Sequence, residues 1–215
     1  MPSIDTKAAS RRWFDRRAKG YERGLDSGWL ARMQREALAA LELGREDRFL
    51  DVGCGPGATL RQTASSIAFG VGIDISSEMV RRARDLAADL DRVAVCVADS
   101  ERLPFGDGEF SAVLCSTSFH HYPNPGEAVR EMARVLAPGG RLVVADANSD
   151  LWAARVADVF LRRFEPGHVH LHRSAELGAF VHSAGLSKVR LRRLSSGGYA
   201  IVHGTKPKES SPPAG

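Results

Sequence analysis

The chain has 215 residues, of which 43% are hydrophobic and 26% charged. That is the length and balance of one globular domain, and it excludes a disordered or fibrous chain. No stretch approaches the roughly 20 apolar residues that cross a membrane, and the first residues scatter their apolar side chains among arginines, unlike a signal peptide. The net charge of +4 resides in residues 1–25, which hold seven basic side chains against three acidic ones; the remainder carries 23 of each sign. A nucleic-acid binder spreads its basic residues over a binding face. A single basic arm therefore reads as a solvated helix face and argues against nucleic acid as a partner. Cys54, Cys96 and Cys115 lie in apolar segments without paired spacing, as buried thiols of a cytoplasmic protein do.

Two helical patterns come first. Thr6–Arg23 gathers Trp13, Phe14, Ala18 and Tyr21 among charges, and Trp29–Leu43 repeats apolar residues at three and four before stopping at Gly44. From Arg48 short apolar runs alternate with helical ones. The spacing predicts strands at Phe49–Val52, Gly70–Ile73, Val93–Val97, Ala112–Cys115, Arg141–Ala145, Lys188–Leu194 and Tyr199–Gly204. Helices are expected at Ala58–Ser66, Glu78–Leu90, Gly126–Leu136 and Ala175–Ala184. Such alternation builds an α/β fold with a mainly parallel sheet covered on both faces. Only Ser195–Gly198 separate the last two strands, which makes a hairpin and forces one of them antiparallel. The tail after Lys206 has too little apolar surface to fold.

Asp51-Val52-Gly53-Cys54-Gly55-Pro56-Gly57-Ala58 follows a strand and opens a helix. Glycines let the backbone turn sharply and approach a ligand, and the helix N-terminus offers free N–H groups. Asp74 ends the second strand, 21 residues after Gly53, where an acid takes the hydroxyls of a ribose. This much fits NAD as well as another adenosine cofactor. Further on, Val97-Ala98-Asp99-Ser100 ends the third strand with an acid, Leu103 to Phe110 leads into the fourth, and Ala137-Pro138-Gly139-Gly140-Arg141-Leu142 makes the turn into the fifth.

From Phe49 to Asp146 the chain resembles the class I S-adenosylmethionine-dependent methyltransferases, most of all the small-molecule branch that includes the ubiquinone and menaquinone C-methyltransferases. The resemblance implies a Rossmann-like sheet of seven strands in the order 3-2-1-4-5-7-6, the seventh antiparallel. Around it the chain would divide into an N-terminal helical lid (1–45), the methyltransferase domain (46–206) and a disordered tail (207–215). It also implies roles at matching positions. Gly53, Cys54, Gly55 and Gly57 would pass under the methionine part of S-adenosylmethionine, with Asp51 near its ammonium. Asp74 would hold the ribose hydroxyls, Ile75 and Met79 would flank the adenine, and Asp99 would accept from its exocyclic amine between Ala98 and Ser100. Ser116 would face the methionine end, and Tyr21 would close over the cofactor from the N-terminal helix. Ser111 departs from the acid that the family commonly carries there, at a position that reads as structural. The implied reaction moves the sulfonium methyl to a hydroxyl, amine or activated carbon of a small molecule, leaving S-adenosylhomocysteine, in a monomer or homodimer. The alternatives are an RNA or protein methyltransferase and a cofactor-binding partner protein without turnover.

Methyl transfer from a sulfonium needs alignment and exclusion of water more than it needs a triad, so catalytic residues are sparse. Ser118, His120, His121 and Tyr122 follow the fourth strand. A histidine suits proton removal from a hydroxyl or acidic carbon. Of the pair, His121 is the expected base, titrating near 6 to 7, with His120 on the opposite side of an extended segment. Between the fifth strand and the next helix, an amphipathic run (Leu151 to Phe164) precedes His168, His170 and His172. These would share one face of an extended chain, but no acid or cysteine is spaced to complete a metal set, and no metal is expected.

Overall fold

The computed structural model describes residues 4–21, 27–194 and 197–208. Strands β1 (Arg48–Val52), β2 (Phe69–Asp74), β3 (Val93–Val97), β4 (Phe110–Ser116), β5 (Leu136–Ala147), β6 (Ser187–Leu194) and β7 (Tyr199–Thr205) form one sheet in the order β3-β2-β1-β4-β5-β7-β6. β1 to β5 pair in parallel, and β7 lies antiparallel to both β5 and β6. The hairpin expected from the four-residue link is therefore present, and the expected sheet order is the observed one.

The helices are α1 (Ile4–Arg17), α2 (Ser27–Ala39), α3 (Ala58–Thr63), α4 (Ser77–Leu86), α5 (Pro125–Val135), α6 (Trp152–Phe164) and α7 (Ser174–Ser183). Alternation along the strands splits the core between the two faces. Leu50, Val52, Val113 and Cys115 meet Val129 and Met132 of α5 and Leu177 and Val181 of α7. Phe49, Ala112 and Leu114 point the other way, to Met33, Ala37 and Leu41 from the α2 side and to Leu60, Val80 and Ala83 of α3 and α4. Two local sequence signals set helix starts: the Ser76 hydroxyl accepts from the Met79 N–H at the head of α4, and Pro125 opens α5. Ser111 donates to Asp47, which also accepts from Arg141 and the Gly44 N–H. That position is indeed structural.

Several boundaries differ from the periodic patterns. α1 ends at Arg17, with Tyr21 in a following turn, and residues 22–26 lie outside the described residues. α2 stops at Ala39 and α4 at Leu86, each continuing as a turn, because the apolar periodicity outlasts the helical hydrogen bonds. β5 begins at Leu136, not Arg141: Gly139 and Gly140 exchange backbone bonds with Lys206, so the turn motif is drawn into the sheet. Of the tail, residues 209–215 lie outside the described residues.

Candidate active site

The carboxyl ends of β1 to β4 open into one cavity, as in other open α/β sheets. Its floor is the glycine loop after β1. The N–H groups of Gly53 and Cys54 both donate to the Ile73 carbonyl, at 2.8 and 2.9 Å, which folds the loop back against β2. Gly53 has φ +75°, and a Cβ there would lie 2.6 Å from the Ser118 Cβ and 2.9 Å from the Tyr122 hydroxyl. Only glycine fits. Gly57, at φ +76°, instead makes room for Ala83 of α4 and does not line the cavity. Asp51 also sits behind the floor, 3% exposed, accepting from the Thr59 hydroxyl. Burial, opposed by that bond, pushes its carboxyl up to about 7.

Asp74 does face the cavity. Its Oδ2 accepts from the Gly55 N–H at 2.9 Å and its Oδ1 from the Ser76 N–H at 2.8 Å. These donors orient the carboxylate and leave it lone pairs for ligand hydroxyls. Burial outweighs them and pushes Asp74 up to about 6. Tyr21, Cys54, Gly55, Ile75, Met79, Ala98, Asp99, Ser100 and Ser116 line the same cavity. These positions, scattered over 96 residues of chain, meet around one space, as the resemblance implies.

Helix α1 closes that space from outside. Lys7 reaches Asp99 and Glu101, at 2.6 Å from each, and Asp15 accepts from the Ser76 hydroxyl at 2.6 Å. Phe14 and Tyr21 form part of the cavity wall. Arg11, Arg12, Arg16, Arg17 and Lys19 are exposed, so the outward side of the arm is basic. Sequence reasoning missed Lys7, Phe14, Leu30 and Glu101 as cavity residues. Helical spacing separated apolar from charged positions there, but only tertiary packing shows which of them meet the strand ends.

The histidine pair is not on an extended segment. Phe119–His121 form a turn of 3₁₀ helix, because the His121 and Tyr122 N–H groups return to Ser118 and Phe119. The two imidazoles still diverge in role. His120 does not line the cavity; its Nδ1 bonds the Asp146 carboxylate at 2.9 Å. Burial lowers the His120 imidazole, but the charge and hydrogen bond of Asp146 together with the Glu165 and Asp158 charges outweigh it and leave the value raised. His121 lines the cavity, with the Phe14 ring packed edge-on at 4.8 Å. Its Nδ1–H donates to the Gly167 carbonyl at 2.7 Å, which leaves Nε2 as the basic nitrogen. Burial first, then the neighbouring His120 and His168, hold His121 well below the ordinary imidazole value. An ionisation between 6 and 7 is thus not what this imidazole offers. Beside it Thr117 adopts φ +56°, an outlier for a branched residue, stapled by its N–H to the Ala145 carbonyl and its hydroxyl to Tyr199.

The remaining histidines do not share one face. His168 is buried and its Nε2 donates to Asp158 at 2.7 Å; His170 Nδ1 reaches the same carboxylate at 3.1 Å, and His170 and His172 also come close to Glu176 of α7. Glu176 stands four residues after His172 in the first turn of α7, an acid at helical spacing that sequence reasoning passed over.

The residues present suit an adenosine-type ligand with a cationic tail. A glycine cradle that a Cβ at Gly53 would fill, the carboxylates of Asp74, Asp99 and Glu101 and an apolar wall lie in one cavity. A model of the Methyltransferase domain family matches residues 50–144. Over 203 residues the chain is 34% identical to the demethylmenaquinone methyltransferase of Mycolicibacterium vanbaalenii, covering 85% of each chain. It is 43% identical over 110 residues to the 27-O-demethylrifamycin SV methyltransferase of Amycolatopsis mediterranei, 49% of this chain but only 40% of that enzyme. Among solved structures, the complex of a Haloferax volcanii methyltransferase with the Trm112 methyltransferase activator matches with a TM-score of 0.78 at 23% identity, covering 90% of this chain and 97% of the other. At that identity the likeness shows the fold alone. With its glycine loop, its acids at the strand ends and a relative aligned along 85% of its length, the chain belongs to the class I S-adenosylmethionine-dependent methyltransferases.

Proposed function

We propose that the cavity holds S-adenosylmethionine along β1 to β4, and that His121 removes a proton from a small, largely apolar acceptor as the methyl moves. When bound, the cofactor supplies an electrophilic methyl; the acceptor's electron pair forms the new bond as the carbon–sulfur pair returns to sulfur, giving S-adenosylhomocysteine. Asp74 would accept the ribose hydroxyls and Asp99 the adenine amine, with Ile75 and Met79 against the ring. Asp51 would act through the loop rather than by contact, since it is buried, bonded to Thr59 and not among the lining residues. Helix α1 would act as the lid, excluding water through Phe14 and Tyr21.

One observation carries the assignment of the base. His121 is the histidine among the cavity-lining residues, and its proton-bearing nitrogen is committed to the Gly167 carbonyl. A low-valued imidazole is unprotonated at neutral pH and ready to accept. Phe14, Leu30, Ala31 and Pro123 make the nearby walls apolar, which supports an acceptor of low polarity carrying a hydroxyl or an acidic carbon. The relatives' names, which mention demethylmenaquinone and a demethylrifamycin, fit that class. The test is a labelled methyl-transfer screen over apolar phenols, enols and amines, with the product mass determined. Transfer to hydroxyl or carbon acceptors is expected. Tight binding of S-adenosylhomocysteine with no transfer to any small acceptor would mean a binding protein without turnover.

A further inference from the structure

Behind the cavity, the segment between α6 and α7 carries a cluster that methyl transfer does not use. Its backbone is anchored to the histidine turn: the Val169 and His170 N–H groups both donate to the His120 carbonyl, at 3.0 and 3.1 Å. His170, His172 and Glu176 each bring one donor atom to within 4.8 Å of the others. His172 Nδ1 stands 3.6 Å from Glu176 Oε2, too far for a hydrogen bond. It is close to the roughly 3.3 Å that separates two ligands of a tetrahedral zinc ion with bonds of about 2.0–2.1 Å. The wider gap closes by rotation of the His170 ring, which is 39% exposed.

The surroundings prepare these groups as ligands. Asp158 is 2% exposed and accepts from His170 Nδ1 at 3.1 Å. A carboxylate only accepts, so the proton sits on Nδ1 and the His170 Nε2 lone pair is free. This carboxylate–histidine arrangement is the one that orients metal-bound imidazoles. Asp158 is itself held by His168 Nε2, the Leu171 N–H and Arg162. His172 is fixed by edge contacts with Phe119 and Phe180, its ring centre 5.7 and 5.3 Å from theirs. Glu176 Oε2, the oxygen that faces His172, also accepts from the Arg173 N–H at 2.8 Å as a helix cap; a carboxylate keeps further lone pairs on both oxygens for an ion.

We propose that His170, His172 and Glu176 form a binding site for a divalent transition ion of the zinc class, with water completing the shell. Two imidazoles and one carboxylate suit zinc, and cobalt as its spectroscopic stand-in; they do not suit magnesium or calcium, which take oxygen ligands. The ion clamps the first turn of α7 to the segment whose Gly167 carbonyl holds His121. It thereby braces the acceptor side of the cavity without entering it.

The test uses the full chain without a histidine tag, titrated with Zn²⁺ alone by calorimetry and with Co²⁺ by visible absorption. The expected result is one equivalent of ion bound at micromolar concentration, with the intense cobalt bands of a four- or five-coordinate site. Glu176→Gln keeps the helix cap and should weaken binding about tenfold or more, and His170→Ala at least as much. His121→Gln serves as the control and should bind zinc like the parent. Absence of binding at up to hundreds of micromolar would overturn the site, and so would unchanged affinity in the combined His170→Ala, Glu176→Gln variant, whose fold is checked by its circular dichroism.

Discussion

The two sides of the cavity are built by different means. On the cofactor side, Asp74, Asp99 and the glycine loop stand at the ends of parallel strands, and backbone N–H groups hold the Asp74 oxygens. On the acceptor side, His121 sits in a single 3₁₀ turn, and its ring is set by a carbonyl 46 residues away. Strand ends are over-determined by the sheet, so one side chain there adds binding but not shape. The proposed acceptor side depends on the packing of α1 and the 165–173 segment, so one side chain there would decide the chemistry. The difference teaches where function can vary: loops change while the sheet that holds the cofactor stays.

The sharpest way to break this comparison is at His121. His121→Gln should lower turnover by about 10²–10⁴-fold, the usual size of general-base assistance, with S-adenosylhomocysteine affinity near that of the parent. Because burial depresses the imidazole, the parent's rate should stay flat from pH 8 down to 6 and fall only below that. A rate that drops through an ionisation between 6 and 7 would assign the proton to another group.

On the cofactor side the largest effect should come from Gly53→Ala. The positive φ alone costs of order 1–3 kcal/mol, and the added methyl collides with Ser118 and Tyr122. Thermal denaturation should register the loss, and S-adenosylhomocysteine should no longer raise the midpoint. Ala at Gly57 should be tolerated better by the ligand, since its methyl would meet Ala83 and not the cavity.

A smaller effect follows from pH. Asp74 lies near 6 in the free protein, above its ordinary 3.8, because burial disfavours its charge. The free fold is therefore favoured by protonation as pH falls toward 5, and that contribution disappears as pH rises through about 6. Ribose hydroxyls favour the ionised form, so binding of S-adenosylhomocysteine should strengthen as pH rises through 6. It should release a proton near that pH, measurable by calorimetry in buffers of different ionisation heat. Affinity that is constant from pH 5 to 7.5 would contradict the role of Asp74.

The smallest change concerns the lid. Lys7 and Asp99 are partly exposed, at 28% and 37%, so screening limits their pair, and Lys7→Met should cost about 0.5–1 kcal/mol at most. Hydrogen exchange in α1 should rise accordingly while the sheet stays protected. Equal protection in parent and variant would show that Asp15 and Phe14 hold the lid without Lys7.

The same division decides what could be read in the chain. Asp51, Asp74 and Asp99 lie at or just past the carboxyl ends of β1, β2 and β3, which local periodicity locates, whereas the sheet order and the cavity positions were legible through the family resemblance. Gly57 and Asp51 were expected to touch the cofactor; in the structure Gly57 packs close to Ala83 and Asp51 is buried against Thr59, and neither is among the residues that line the cavity. Periodicity says which residue ends a strand, and packing decides which side of the loop it serves. On the acceptor side, the His120–His121 turn depends on hydrogen bonds to Ser118 and Phe119 that no alternation encodes. By contrast Glu176 stands only four residues after His172, so that acid was within reach of spacing; what spacing did not show is the path of 168–172 that brings His170 beside it.

One titration tests the central claim most directly. S-adenosylhomocysteine is titrated at pH 7.5 into the parent, Asp74→Ala and His121→Gln under identical conditions. Loss of a carboxylate acceptor should weaken binding by about 1.5–3 kcal/mol, roughly 10- to 150-fold, while His121→Gln stays within about twofold of the parent. Equal affinity in the parent and Asp74→Ala would contradict the placement of the cofactor along the strand ends, and with it the division of the cavity into two sides.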